Sequence, residues 1–352
     1  MDPKSLLTYA EIHRQQAQWS NALSAMEDTR GELSRIVRNH ADAIWVFCGC
    51  GTSYYLAQSG ANLFARLTGL QAIAVPASEV LMFPQSIFMR GRTYVMVTIS
   101  RSGTTSEIVL AETKARTELG IPTLAISCDD ESEMAVNSDD AVRFPFQKEE
   151  SVVMTGSFTT MLLSIAFLAN LYNTQDWLTM ALAELPGQST AVVRENEGLI
   201  AKIGSDTALS DFVFLGQGPL YGIANEAALK MQEMAIVTSL SYHALEFRHG
   251  PMSTVTDETL LTVLCTNAGE SYEPKLVEDM KKLGARILVF HAMGANWRQG
   301  NGHFEVAVPR CFHDVLSTFL YTPLLQLLGF YVAIAKGINP DTPKNLSQVV
   351  TL

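Results

Sequence analysis

Charge is scarce in this chain, and what charge there is leans one way. Asp, Glu, Lys and Arg supply 17% of 352 residues, and 25 Lys and Arg against 36 Asp and Glu leave a net charge of −11. A field of that sign repels polyanions and offers no basic footprint for a duplex, which excludes nucleic acid as an expected partner. Low charge together with 47% hydrophobic residues excludes a disordered chain as well. Cysteine is sparse and unpaired. Cys48, Cys50, Cys128, Cys265 and Cys311 are odd in number and lack paired spacing, the pattern of reduced thiols in a cytoplasmic protein. The start, Met1-Asp2-Pro3-Lys4, lacks a charged stretch followed by an apolar one, so no secretion signal is expected. Clean apolar runs are missing too. The longest, Phe319 to Ala335, is interrupted by Pro323, Gln326 and Gly329 and reads as a buried core helix rather than a membrane span. No Gly-Lys-Ser/Thr closes a P-loop, and no GxGxxG fingerprint follows a strand. Cys48-x-Cys50 has no nearby Cys/His pair, and His291, His303 and His313 show no i,i+4 spacing. Neither a metal nor another cofactor is expected.

What is present is a strand–turn–helix rhythm in a chain long enough for about two domains. Residues 1–40 carry Tyr9, Ile12, Trp19, Leu23 and Met26 at helical intervals. Ala43 to Cys48 is then a short apolar run ending in Gly49-Cys50-Gly51-Thr52-Ser53, and Tyr54 to Leu67 returns to helix period. The unit recurs as a strand from Thr93 to Ile99, the loop Ser100-Arg101-Ser102-Gly103-Thr104-Thr105, a helix from Ser106 and a strand from Pro122 to Ser127. Strands alternating with helices predict a parallel sheet covered on both faces, an α/β doubly wound, flavodoxin-like fold.

The chain also repeats itself. Trp45 to Gly51 aligns with Phe212 to Gly218 at an offset of 167, and Thr93 to Glu107 aligns with Thr259 to Glu273 at 166, pairing Gly103 with Gly269. Leu119-Gly120 and Leu283-Gly284 continue the match. Two copies of one α/β domain are therefore expected, roughly 25–190 and 200–340, after an N-terminal helix (1–24) and before a tail (341–352). The copies diverge in polarity. Where the first has Thr52, Ser53, Ser100, Ser102 and Thr105, the second has Pro219, Leu220, Thr266, Ala268 and Ser271.

Chemistry is expected where hydroxyls meet helix starts. The Ser100–Thr105 loop leaves a strand and enters a helix, the place where open parallel sheets bind ligands. Its hydroxyls, its glycine and the helix N-terminus suit a phosphate monoester without net positive charge. Taken alone, the stretch reads first as an N-cap and a turn; a second such loop, Gly51-Thr52-Ser53, points to a ligand. Further on, Glu226, Lys230 and Glu233 stand at i, i+4 and i+7 on one helix face. Spacing alone favours a surface ion pair there. His249 follows in the turn Leu245-Glu246-Phe247-Arg248-His249-Gly250-Pro251. A carboxylate, an ammonium and a histidine are the set an aldose–ketose isomerisation requires, for proton transfer, enediolate stabilisation and ring opening.

With these segments in view, the chain resembles the double sugar-isomerase (SIS) family, most closely the isomerase half of glucosamine-6-phosphate synthase and the stand-alone SIS-type amino-sugar-phosphate deaminases and isomerases. The resemblance is carried by Cys50 to Tyr54, Ser100 to Thr105, Glu149 to Thr159, Glu226 to Glu233, Glu246 to Pro251 and Pro343 to Ser347. It implies two tandem SIS domains, the first binding a sugar 6-phosphate and the second carrying the catalytic helix and histidine loop, with the tail closing the site. It implies that Ser100, Arg101, Ser102 and Thr105 hold the phosphate, with Gly51, Thr52 and Ser53 beside them and Val152 lining the sugar pocket. Glu233 is then the isomerisation base, Lys230 and Glu226 its neighbours, and His249 the ring-opening group, reaching the adjacent subunit of a homodimer with shared active sites. Two departures stand out. No glutaminase segment precedes the first SIS strand, so glutamine is not the expected nitrogen donor. In the tail, Ser347-Gln348 stands where the family usually places a lysine that engages the open-chain sugar, with Lys344 a possible substitute; glutamine forms no Schiff base. The expected activity is conversion of an amino-sugar 6-phosphate to a ketose 6-phosphate with release of ammonia. A plain aldose–ketose isomerase, a fructosamine-6-phosphate deglycase and, outside enzymes, a phosphosugar-sensing regulator are the alternatives.

Overall fold

The computed structural model describes residues 2–294, 300, 302–309, 314–347 and 349. Cys311, His313 and Gln348 lie outside the described residues. The chain divides into two compact units, one of Arg14–Glu150, Met154–Pro186 and Ser347–Leu352, the other of Met1–His13, Ser151–Val153 and Gly187–Leu346.

The N-terminal helical stretch is two helices, α1 (Leu7–Asp28) and α2 (Arg30–Asn39). The first sheet follows, with β1 (Ile44–Gly49), β2 (Ala72–Pro76), β3 (Tyr94–Ser100), β4 (Thr123–Ser127) and β5 (Asp140–Arg143) in the order β2-β1-β3-β4-β5. Every pairing is parallel, with Cys48 opposite Thr98 and Ser100 opposite Ser127. All of β3 is buried, as expected of a central strand covered on both faces. Val46, Cys48, Met96, Ile108, Ala111 and Met134 form a core on one side of this sheet. Helix α3 (Thr52–Thr68) makes the first crossover, α4 (Ser106–Thr113) follows β3, and α5 (Gly156–Tyr172) packs on α3 so closely that a Cβ on Gly60 would meet Ile165 Cδ1 at 2.4 Å.

The second unit repeats this plan. Strands β6 (Asp211–Gly216), β7 (Ser239–His243), β8 (Thr259–Leu264), β9 (Arg286–Ala292) and β10 (Phe304–Val308) take the order β7-β6-β8-β9-β10, again all parallel. Counted from each copy's first strand, the two orders are the same. The equivalence reaches backbone angles: Gly51 (φ 53°, ψ −124°) and Gly218 (φ 54°, ψ −128°) open equivalent helices in a region that side chains rarely adopt. Two residues earlier, a Cβ on Gly49 or Gly216 would strike the backbone of the following helix, at 2.5 Å from Ser53 and 2.2 Å from Leu220. The repeat seen in sequence is therefore one strand-to-helix turn built twice.

Helix α6 (Pro219–Ala235) joins β6 to β7, α7 (Glu273–Lys282) follows β8, and α8 (Asp314–Ala335) is the apolar run expected to be a core helix. It is the one helix among the described residues long and apolar enough to cross a membrane, and 83% of its most apolar window is buried within the fold.

Candidate functional site

In the first copy, β1 and β3 are parallel neighbours, so the loops at Gly51–Ser53 and Ser100–Thr105 emerge side by side. Ser100 is buried at the end of β3, and its hydroxyl accepts the Gly103 N–H at 3.0 Å. The Ser102 hydroxyl accepts from Thr104 N at 3.3 Å. The loop is held from behind: Arg101 O accepts from Cys128 N at 3.2 Å, and Gly103 O accepts from Met134 N at 3.1 Å. Gly103 has φ 63°, and its would-be Cβ lies 2.0 Å from Ser132 Oγ, so only glycine fits. Thr105 opens α4 without using its hydroxyl as a cap, while Thr52 and Ser53 are buried in the first turn of α3. The result is a rigid, hydroxyl-lined cradle at two helix starts.

Arg101 is already engaged. Its Nη1 lies 3.1 Å from Oε2 of Glu149, a carboxylate with no exposed surface. Glu149 also accepts from Thr155 N and Oγ1, both at 3.0 Å, and from Ser157 N at 2.8 Å and Oγ at 2.6 Å. It thereby ties the guanidinium to the start of α5. Sequence reasoning missed this residue. The signal was its place in the Glu149–Thr159 stretch, with hydroxyls at Thr155 and Ser157 ready to donate.

In the second copy, α6 does bring Glu226, Lys230 and Glu233 together. Lys230 Nζ lies 3.3 Å from Glu226 Oε1 and donates to Glu233 Oε2. This is no surface pair: the side chains of Lys230 and Glu226 are 0% and 2% exposed, against 16% for Glu233. Helix α8 explains the burial, since Gly329 sets its would-be Cβ 3.3 Å from Lys230 O. Burial alone would drive the ammonium towards neutrality, but the adjacent Glu226 and Glu233 carboxylates outweigh it and raise the pKa above that of an ordinary lysine. Lys230 is a fixed cation, and of the two carboxylates only Glu233 has an appreciable outlet.

His249 ends the short turn Glu246–Arg248, donating its N–H to Glu246 O at 2.9 Å. It is exposed and lines a cavity of about 750 Å³ with Arg248, Met252, Tyr272 and Lys275. Among the described residues it does not join the Glu226–Lys230–Glu233 cluster. Val152 is half-buried, its N–H donating to Asp341 O at 3.3 Å, and the Asp341 carboxylate accepts from Leu7 N and Thr8 N at 2.9 and 2.8 Å. Ser347 is exposed, its hydroxyl on Val349 O at 2.9 Å. Among the described residues no three His, Cys, Asp or Glu side chains converge as metal ligands. Burial raises Cys48 and Cys128, and lifts Cys50 to about 11, so these thiols are protonated at neutral pH.

Two parallel sheets of one strand order, a hydroxyl-rich loop after a central strand and a buried charge cluster define a tandem α/β protein with a cradle beyond the strand ends of its first sheet. The chain belongs to the SIS domain family, whose profile matches residues 42–171 and 211–327. It is 30% identical over 329 residues to the glutamine–fructose-6-phosphate aminotransferase (isomerizing) of Pseudomonas putida, covering 86% of this chain and 51% of that protein. The chain thus spans about half the length of the curated relatives it matches. Among solved structures, the glucosamine-6-phosphate deaminase of Thermotoga maritima is 31% identical with a TM-score of 0.74, covering 94% of this chain and 99% of that one. The tagatose-6-phosphate ketose/aldose isomerase of Escherichia coli, at 23% identity, shares the fold with a TM-score of 0.87, covering 99% and 97%.

Proposed function

We propose that this protein is a cytoplasmic SIS-family enzyme that converts an amino-sugar 6-phosphate to a ketose 6-phosphate with release of ammonia. The observation that carries the chemistry is the Glu226–Lys230–Glu233 cluster, in which a buried ammonium holds two carboxylates and only Glu233 has an appreciable outlet. Glu233 takes the C2 proton of the open-chain sugar and returns it at C1. The Lys230 charge favours the developing enediolate-like intermediate, and His249 assists ring opening. For an amino sugar, that transfer turns the C2 amine into an imine; water adds to C2 and ammonia departs. Ser100, Arg101, Ser102 and Thr105, with Gly51, Thr52 and Ser53, are assigned to the phosphate, and Val152, Ser347 and Gln348 to the sugar. Because Glu149 already neutralises Arg101, phosphate affinity comes chiefly from hydroxyls and amides. A homodimer in which His249 serves the neighbouring subunit accompanies this reading.

The likeness to a glucosamine-6-phosphate deaminase over almost the whole of both chains supports the deaminating reaction. An aldose–ketose isomerase without deamination is the second reading, supported by the cluster itself, which supplies proton transfer and needs no amine. Incubation with glucosamine 6-phosphate, glucose 6-phosphate and a fructosamine 6-phosphate, followed by assay of ammonia and ketose phosphate, separates them. Ammonia and fructose 6-phosphate from the first compound support deamination. Isomerisation of the second without ammonia supports the alternative, cleavage of the third identifies a deglycase, and binding without turnover of any identifies a sensor.

A further inference from the structure

The second copy retains the loop that would hold an anion, and something already sits in it. Ser100 and Thr266 are equivalent, as are Gly103 and Gly269, and both loops make the same bond: Gly103 N donates to Ser100 Oγ at 3.0 Å, and Gly269 N donates to Thr266 Oγ1 at 2.9 Å. A hydroxyl that accepts in this way has one proton left to give. Among the described residues no acceptor takes the Ser100 proton. In the second copy Thr266 Oγ1 gives its proton to Glu273 Oε1 at 3.1 Å, and Thr266 N donates to Glu273 Oε2 at 3.0 Å. The next amide, Asn267 N, donates to the buried Asp314 Oδ1 at 2.5 Å. Glu273 is itself buried, and a Cβ on Gly269 would lie 2.2 Å from its carboxylate, so glycine is required for that approach. The matching residue of the first copy, Glu107, makes no such bond to Ser100 among the described residues, and its buried Oε2 has no hydrogen-bond partner.

We propose that Glu273 is a built-in anion of the second copy's ligand loop, closing it to phosphate so that each chain keeps a single phosphate seat. The inference rests on the reading of the Ser100–Thr105 loop as that seat. A carboxylate supplied by the chain needs no recruitment from solution, and it satisfies donors that a vacant loop would leave to water. Burial, with the Asp314 charge added, raises Glu273 to about 7 despite the bonds from Thr266, consistent with a carboxylate held by geometry in a place that does not otherwise favour charge.

The test is the number of anions bound per full-length chain, measured by calorimetry with glucose 6-phosphate and with inorganic phosphate, alongside melting temperature with and without phosphate. Native protein and Glu273→Gln, which keeps the volume and an acceptor oxygen, should bind one. Glu273→Ala should bind two, and Ser102→Ala/Glu273→Ala should keep a site that Ser102→Ala alone loses or weakens. Phosphate should raise the melting temperature of Glu273→Ala more than that of the native chain. A folded Glu273→Ala that binds the native number and gains no extra stabilisation overturns the proposal. So does a variant that stays unfolded in phosphate, since an anion seated in place of the carboxylate restores what was removed. If the native chain binds none, the first-loop reading fails, while Glu273→Ala moving from none to one still upholds the role of Glu273.

Discussion

The loop after β3 and the loop after β8 leave equivalent strands and make the same glycine-to-hydroxyl bond, yet only the second, among the described residues, has a carboxylate of its own chain bonded to its hydroxyl. In the first, no acceptor among the described residues takes the Ser100 proton, and the neighbouring positions are Ser102 and Thr105. In the second, Ala268 replaces the middle hydroxyl, and Glu273 and Asp314 take the donors at Thr266 and Asn267. The second copy has instead placed charge on a helix: α6 buries Glu226 and Lys230 where α3, the equivalent helix, buries Ser59 and Leu63. Under the proposed function, this division has one copy bind the phosphate while the other transfers protons. Phosphate affinity and proton transfer are then separable by mutation.

The sharpest way to break that division is at the base. Glu233→Gln should lower kcat by about 10²–10⁴-fold while calorimetry still finds sugar-phosphate binding. Near-native kcat would place the chemistry elsewhere. Removing the buried cation should cost stability instead: Lys230→Met leaves two carboxylates facing each other without compensation, a loss of about 3–5 kcal/mol by urea unfolding. Glu226→Gln in the same chain should recover part of it, and failure to recover any would mean that Lys230 acts by packing alone. The complementary change is in the first copy. Ser102→Ala should raise KM with kcat little changed, by the roughly 1.5–3 kcal/mol of a hydrogen bond to a charged oxygen; a fall in kcat at constant KM would contradict the binding role.

Two smaller effects sharpen the picture of the second copy. The folded-state pKa of Glu273 is raised from 4.5 to about 7, so between those values the native chain holds a proton that the unfolded chain has released. Stability from this group is present below the lower value and is lost as pH rises through the upper one, at a slope of at most about 1.4 kcal/mol per pH unit. Unfolding curves between pH 5 and 7 should therefore be flatter for Glu273→Gln than for the native protein. The smallest effect lies just past the base. Ile236 closes α6 with φ 52°, a left-handed conformation unfavourable for a β-branched side chain. Ile236→Gly should stabilise the fold by less than about 1 kcal/mol, the relief of strain being offset by glycine's freedom in the unfolded chain. A loss measured by urea unfolding would show that the Ile236 side chain contributes more than its backbone costs.

The duplicated parallel architecture is legible in the sequence, because glycines at a strand-to-helix turn and apolar strands at a constant offset report local backbone demands. Gly51 and Gly218 must take positive φ, and Gly49 and Gly216 must let a helix start approach a strand end. The spacing of Glu226, Lys230 and Glu233 likewise put them on one helix face. Sequence could not say that this face is interior. That follows from Gly329 admitting α8 against the Lys230 backbone, and it changes an expected surface pair into a fixed buried cation. Glu149 and Glu273 were hidden for the same reason. A carboxylate written in sequence is a solvated charge by default, and only the tertiary structure supplies the amides and hydroxyls that make a buried one favourable. Sequence by itself determined the repeated strand-to-helix turns and the residues that stand beside them, since those depend on neighbours along the chain. Which carboxylates are enclosed, which one reaches a surface and which loop is already filled depend on donors brought in from distant segments, and those the tertiary structure alone decided.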